Sequence, residues 1–238
     1  MFKTAIILAG GEGSRLKGIT QEPKPLICVN GKPHILNVIN HIYLWKFTKI
    51  IILVRKGQSD LYKIHLKKLC KEVIKNLIIE IIEEREPMGT SGWIMQNLEI
   101  LDDYFMVLNS DTYFFENIYS TLFKIFRKNQ NALIAKAKNS RNDSGSFSVN
   151  KFSRIEKFQE KKDDKDNLES AGIYLLKKEI LKKLKKLFLN FKNNFEFDIF
   201  PELIKNKSLY GYKSLTFNHD YGTVNRLNNK DEIIKKNQ

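Results

Sequence analysis

Cysteine is nearly absent from this chain: Cys28 and Cys70 are the two in 238 residues. One sits in a strand-like segment and the other in a helix-like one. Both are expected to be buried thiols in a reducing cytosol, and no metal-ligand spacing is present. Long apolar runs are also missing, and none reaches the length of a membrane span. No secretory leader is expected, because Phe2-Lys3 runs straight into a short β-like segment without an apolar h-region or a cleavage site. A cytoplasmic protein with no membrane partner is the expectation. No Pro/Gly/Ser-rich linker divides the chain and no internal repeat is found, so residues 1–238 read as one domain. Acidic residues are in deficit: 27 Asp and Glu stand against 41 Lys and Arg, for a net charge of +14. That balance invites a nucleic-acid reading, but the distribution argues against it. The lysines are scattered through stretches such as Lys182-Lys183-Leu184-Lys185-Lys186-Leu187, as on a solvated helix face, and the aromatics are interleaved with apolar residues as in a core. No nucleic-acid partner is expected, although the positive field would attract small phosphorylated molecules.

What is present is enough apolar material for a core, 42% hydrophobic and 11% aromatic residues, in a regular alternation. Runs rich in Ile, Leu and Val at 4–8, 49–54, 77–82, 104–109 and 132–138 read as strands buried on both faces. Amphipathic stretches at about 34–46, 60–75, 91–100 and 117–128 lie between them and read as helices. The alternation predicts an α/β fold, a Rossmann-like three-layer sandwich with a mainly parallel central sheet. After residue 140 the character changes. A polar loop, Asn139 to Ser146, precedes short strand-like pieces at 146–150, 154–159 and 171–176, with a charged turn at Lys161–Asn167 and a last helix-like stretch at 223–236. This part is expected to be a smaller, strand-rich layer folded onto the first. Ligands in such folds bind beyond the carboxyl ends of the parallel strands.

The first strand ends in the most informative segment. Thr4-Ala5-Ile6-Ile7-Leu8-Ala9 drops into Gly10-Gly11-Glu12-Gly13-Ser14-Arg15-Leu16, followed by Pro23-Lys24-Pro25-Leu26 and Asn30-Gly31-Lys32-Pro33. Glycines let backbone N–H groups approach phosphate oxygens, and two cations, Arg15 and Lys24, neutralise charge, which suits a nucleoside triphosphate. The register excludes two familiar alternatives. G-G-x-G-x-R-L is not the G-x-G-x-x-G of a dinucleotide fold, and no Lys-Ser or Lys-Thr follows the glycines as a P-loop requires.

The combined string of G-G-x-G-x-R-L, P-K-P-L and N-G-K-P resembles the signature of the nucleotidyltransferases that make nucleotide-sugars from a nucleoside triphosphate and a sugar 1-phosphate. The resemblance implies a nucleotide-binding half at 1–138 and a sugar-phosphate-binding half at 139–238, with no C-terminal β-helix of the kind larger members carry. It implies that Leu8, Ala9, Gly10, Gly11, Gly13 and Ser14 line the nucleotide, with Arg15 on the leaving phosphates and Lys24 at the α-phosphate. Asp111, in Asn109-Ser110-Asp111-Thr112, and Asp220, in His219-Asp220-Tyr221-Gly222-Thr223, match the S-D and D-x-G-T-like segments that hold Mg²⁺ in the family. On the residues alone Asp111 reads as a strand-end turn and Asp220 as a turn or cap. Arg15, Lys24 and Asp111 are the implied catalytic residues, and Asn109 an implied nucleotide contact. Glu84-Arg85-Glu86-Pro87-Met88-Gly89-Thr90-Ser91-Gly92 resembles the P-L-G-T-[AGS]-G loop that lies against base and ribose, with Met88 in place of Leu. It implies nucleotide contacts at Glu84, Pro87, Gly89 and Thr90. Without the resemblance this stretch is a capped helix start, with Thr90 or Ser91 as the cap.

On the sugar side, Phe158-Gln159-Glu160-Lys161 resembles F-x-E-K, which implies Glu160 on sugar hydroxyls and Lys161 on the sugar phosphate. Ser170-Ala171-Gly172-Ile173-Tyr174 is similar to N-[AG]-G-[IV]-Y, which places Ala171 and Gly172 beside the sugar, with Ser170 at the usual Asn position. Phe195 to Pro201 resembles S-x-E-x-D-[IVL]-[LF]-P and makes Glu196 a sugar contact, while Phe197 and Phe200 read as core. Asp143 to Val149 lacks the arginine and aromatic of the relatives' R-[FY]-G-x-[VI] strand. The short length and the E-x-E-P-x-G-T-x-G loop are most similar to heptose 1-phosphate guanylyltransferases. That likeness implies GTP and D-glycero-D-manno-heptose 1-phosphate as substrates, and GDP-heptose for capsule or surface-polysaccharide synthesis. Cytidylyl-, thymidylyl- and guanylyltransferases of hexose 1-phosphates or other phospho-compounds share the same phosphate groups and stay open. So does a non-catalytic nucleotide-sugar-binding protein. The oligomeric state is open, a homodimer being compatible with the family.

Overall fold

The computed structural model describes residues 3–13, 16, 20, 22–67, 76–136, 145–159, 168–188, 192–213, 218–230 and 232. In chain order the strands are β1 (Thr4–Leu8), β2 (Cys28–Val29), β3 (Lys32–Pro33), β4 (Lys49–Arg55), β5 (Ile78–Glu84), β6 (Tyr104–Asn109), β7 (Thr112–Phe114), β8 (Asn131–Lys136), β9 (Ser146–Val149), β10 (Ile155–Gln159), β11 (Leu168–Lys177), β12 (Leu209–Lys213) and β13 (Asn218–Asp220). The helices are α1 (His34–Leu44), α2 (Ser59–Lys67), α3 (Gly92–Gln96), α4 (Tyr119–Arg127), α5 (Lys178–Lys185), α6 (Phe200–Lys205) and α7 (Val224–Asn228).

The main sheet runs β5-β4-β1-β6-β11-β8-β12. Its pairs are parallel except those of β11, which lies antiparallel to both β6 and β8. A mainly parallel sheet is therefore what is found, with two strands from the later half in it, β11 between β6 and β8 and β12 beside β8. β9 pairs the first residues of β11 and carries β10 as a hairpin. The five expected early strands match β1, β4, β5, β6 and β8. β5 departs in burial: it is half exposed along most of its length. It has a single partner, β4, at the edge of the sheet, and its Ile-Ile-Glu-Ile-Ile-Glu-Glu sequence suits a strand with one wet side.

Side chains alternate across the pleat, and the two faces bury separate cores. Ala5, Ile7, Ile50, Ile52, Met106 and Leu108 face α1, α2 and α4. Ile6, Ile51, Leu53, Phe105 and Val107 face α3, α5 and α6. α1 presents Ile35, Val38, Ile39 and Ile42, the i, i+3, i+4, i+7 spacing of one helical stripe. These three layers are those the alternation predicts. A third, smaller cluster joins Leu16, Ile27 and Val29 to Tyr221 and Leu227. It lies outside the two main cores and docks the end of the chain onto the segment after Lys24. Burial of Cys28 is overturned: its side chain is exposed, because the β2–β3 ribbon stands apart from the main sheet. Cys70 lies outside the described residues. No described helix is long and apolar enough to cross a membrane.

If β1 serves both cores, truncation on either face is costly. Ile6→Ala and Ile7→Ala, both at fully buried positions, are each expected to lower unfolding free energy by about 2–5 kcal/mol. Urea titration checks this, and a loss below about 1 kcal/mol at either position contradicts the two-core arrangement.

Candidate active site

β1 and β6 end level, and β4 and β5 end level two residues further on. Leu8 pairs with Leu53 of β4 and with Asn109 of β6, and Arg55 pairs with Glu84 of β5. The chain beyond these ends encloses a cavity of about 430 Å³. Leu8, Ala9, Gly10, Gly11 and Gly13 line it from β1, Glu84, Pro87, Gly89 and Thr90 from the loop after β5, and Asn109 and Asp111 from the end of β6. Lys24 and Gly222 complete one side and Asn194 another. Ser14, Arg15, Glu160 and Lys161 lie outside the described residues.

Lys24 is fixed by its neighbours. Pro23 and Pro25 flank it in a single 3-10 turn, Pro25 and Leu26 are buried, and the Leu26 N–H donates to the Pro23 carbonyl at 2.8 Å. The ammonium forms an ion pair with the Asp111 carboxylate. β7 and β13 then bring the two aspartates together. Asp220 stands opposite Thr112, and the Tyr221 N–H donates to the Asp111 carbonyl at 3.2 Å. Arg226 holds Asp220 through Nη1 at 2.9 and 3.0 Å from its two oxygens. A Cβ on Gly222 would meet Asp220 Oδ1 at 3.0 Å, Arg226 Nη2 at 3.3 Å and Lys24 Nζ at 3.4 Å, so four charged groups converge at this glycine. Behind them Tyr221 is fully buried, with its hydroxyl 3.0 Å from His34 Nδ1.

The end of β5 brings an acidic group of its own to the cavity. The Glu84 carboxylate lies over Gly10, where a Cβ would come within 2.5 Å of Oε2. Burial raises the Glu84 pKa above the usual carboxylate value. Beyond it, Gly89 has φ +73°, and any side chain there would overlap the Asn193 carbonyl. Neither Thr90 nor Ser91 caps α3 with its side chain. The Thr90 hydroxyl turns instead towards residues 195 and 196. Gly172, with φ +69°, leaves room for the Asn109 side-chain amide, which would collide with a Cβ there. Ala171 is buried in the core. Glu196 accepts hydrogen bonds from Thr90 and Tyr174. Phe197 corrects the expectation of a core residue: it is 64% exposed, whereas Phe200 is fully buried. Phe197 lies within the five-residue π-helical turn at Phe195–Ile199, and Phe200 opens α6 after it. Sequence reading missed Arg226, Asn194 and Tyr174, because each gains its place through partners far along the chain.

A family model described as nucleotidyl transferase matches residues 4–237. The chain belongs to the nucleotidyl transferase family. This nucleotidyltransferase is 32% identical over 177 residues to a D-glycero-α-D-manno-heptose 1-phosphate guanylyltransferase of Campylobacter jejuni, covering 74% of this chain and 76% of the relative. It is 29% identical over 231 residues to the bifunctional protein GlmU of Methanocaldococcus jannaschii, covering 92% of the chain but 51% of that longer protein. HddC of Yersinia pseudotuberculosis shares its fold at a TM-score of 0.78 and 22% identity, covering 98% of this chain and all of that one.

The donor set of the nucleotidyltransferase suits magnesium. Mg²⁺ takes one or two carboxylates and keeps water and substrate phosphate for the rest, and the β7–β13 pair sets Asp220 opposite Thr112, the residue after Asp111. Among the described residues no group of three or more His, Cys, Asp or Glu side chains is placed to hold a metal without such help.

His34 and His41 make stability depend on pH. Burial drives the His34 pKa from 6.5 to about 3 and that of His41 to about 4. Both are neutral in the folded chain at neutral pH. Below 6.5 the unfolded state binds more protons, so stability falls as pH drops from about 6.5 towards 4 and 3. Urea unfolding is expected to show lower stability at about pH 5 than at about pH 7.5. His34→Gln should narrow that gap and leave the share due to His41. An unchanged gap in this variant contradicts the assignment.

Proposed function

We propose that this sugar-1-phosphate nucleotidyltransferase joins GTP to D-glycero-D-manno-heptose 1-phosphate, releasing pyrophosphate and forming GDP-heptose for capsule or surface-polysaccharide assembly. The observation that carries the reading is where the charged groups that line the cavity sit: Lys24 meets Asp111 beside Gly222, and the Glu84 carboxylate lies over Gly10. With a divalent cation on Asp111 and Asp220, phosphates would be drawn to the Lys24 side and repelled by the Glu84 carboxylate, so the base lies at Glu84. An ionised carboxylate only accepts hydrogen bonds. Guanine offers it two adjacent donors, N1–H and the 2-amino group, whereas uracil and thymine offer one N–H between two carbonyls. The name of the Campylobacter relative supports heptose as the sugar.

The sugar phosphate is already ionised near neutral pH, its second pKa being about 6, so no general base is needed. One of its oxygens attacks the α-phosphorus in line, a new P–O bond forms, the bond to the bridging oxygen breaks, and pyrophosphate leaves. The chain's task is to let two anions meet. Lys24 serves the α-phosphate, for which a bound triphosphate competes with Asp111. Arg15 serves the leaving group. Asp111 and Asp220 would hold Mg²⁺, which when bound supplies further neutralisation of phosphate charge. Glu160, Lys161, Ala171, Gly172 and Glu196 serve the sugar phosphate.

Pyrophosphate release over a matrix of GTP, CTP, dTTP and UTP against heptose, mannose and glucose 1-phosphates tests the reading. GTP with the heptose is expected to be fastest. A preference for a pyrimidine nucleotide contradicts the base assignment, and a preference for a hexose contradicts the sugar. No release with any pair favours a binding protein. Lys24→Ala or Asp111→Asn should lower kcat by about 10²–10³-fold without loss of fold, and near-normal turnover in either counts against these roles. Glu84→Gln, which turns one acceptor into a donor, should lower kcat/KM for GTP by about 10–100-fold. An unchanged value would remove Glu84 from base recognition.

A further inference from the structure

The loop lining the nucleotide cavity is stitched to the segment that carries Glu196. Ser91 N–H donates to the Asn193 carbonyl at 3.0 Å, and Asn193 N–H returns a bond to the Met88 carbonyl at 3.1 Å. Thr90 N–H donates to Asn194 Oδ1 at 3.1 Å. The Thr90 hydroxyl is engaged twice. It accepts from Phe195 N–H at 2.8 Å and donates to Glu196 Oε2 at 2.9 Å. The second carboxylate oxygen, Oε1, accepts from the Tyr174 hydroxyl at 3.0 Å. Tyr174 is itself immobilised: it is buried on β11, and its ring packs against Phe195 and Phe200 at centroid distances of 5.5 and 5.0 Å.

Two consequences follow from donor and acceptor counts. A Thr hydroxyl has one proton, and the proton of Thr90 goes to Glu196. The Thr90 N–H is likewise spent on Asn194, so neither of its donors is left for a nucleotide, and the side-chain donor serves the other half of the molecule. A carboxylate has about four acceptor sites on two oxygens. One donor on each oxygen fixes the plane of the Glu196 carboxylate and leaves lone pairs for further donors. The group is only partly buried, so those donors can come from a ligand. Its short π-helical turn is of a kind that recurs at functional sites.

We propose that Thr90 and Tyr174 are positioning residues that hold the Glu196 carboxylate ready to accept hydroxyl donors from the sugar phosphate. The loop that receives the nucleotide thereby sets the geometry of the second substrate's subsite through the Thr90 hydroxyl. The proposal rests on the sugar-phosphate reading above and adds to it the groups that aim Glu196.

The test uses the full chain, with GTP and whichever of heptose, mannose or glucose 1-phosphate the wild type turns over. Thr90→Val and Tyr174→Phe are each expected to raise KM for the sugar phosphate by about 10-fold. For Tyr174→Phe the GTP Kd, measured by calorimetry without sugar phosphate, should stay within about twofold, because Tyr174 is not among the residues that line the nucleotide cavity. Thr90→Ser, which restores the hydroxyl, should return KM to near the wild-type value. Tyr174→Phe removes one oxygen and keeps the ring packing, so it carries the test if Thr90→Val fails to fold. Unchanged sugar-phosphate KM in a folded variant overturns the proposal. So does an equal weakening of GTP, which would make the network a prop for the loop alone. A wild type that turns over no sugar phosphate instead overturns the function on which the proposal stands.

Discussion

The register of β1 between β4 and β6 is the constraint on which the site depends. β1 is buried on both faces, so a slip of one residue would exchange Ile6 and Ile7 between two different cores. With the register held, Leu8 ends level with Leu53 and Asn109. The glycine loop, Glu84 and Asp111 then fall around one space because the strands that deliver them stop within two residues of one another. Parallel strands place every such end on the same edge, and an anion held there meets loop backbone and not side chains alone.

Charge is arranged on that edge before any ligand arrives. Lys24 sits against Asp111 and Arg226 against Asp220, so the cluster at Gly222 is balanced. A divalent ion on the two carboxylates would leave the two side-chain cations to face phosphate, turning a neutral cluster into a cationic one. The small cluster of Leu16, Ile27, Val29, Tyr221 and Leu227 keeps the two ion pairs adjacent. His34, neutral and fully buried, backs Tyr221 without adding a charge of its own.

The legibility of the sequence was uneven for physical reasons. Apolar runs exposed β1, β4, β6 and β8, since strands covered on both faces need Ile, Leu and Val at every position. β7 and β13 have three residues each and no periodicity to betray them, yet they bring Asp111 and Asp220 together. Those aspartates could be singled out only because their short motifs resemble a family pattern. Thr90 looked like a helix cap because the local string allows it. Its actual partners are 105 and 106 residues away, and no local pattern reports such a distance. Phe197 and Phe200 differ in burial, one lying within a widened turn and the other opening the helix after it, which hydrophobicity alone does not encode. Cys28 looked buried because its neighbours are apolar, but its ribbon stands outside the sheet.

The central claim is that one cavity at the carboxyl end of the parallel strands holds a nucleoside triphosphate with its phosphates at Lys24 and its base at Glu84. A crystal structure with a non-hydrolysable GTP analogue and Mg²⁺ measures this directly. Phosphate oxygens are expected against Gly11, Gly13 and Lys24, with the guanine edge on the Glu84 carboxylate. A nucleotide bound outside this cavity, or reversed within it so that phosphate lies at Glu84, would contradict it.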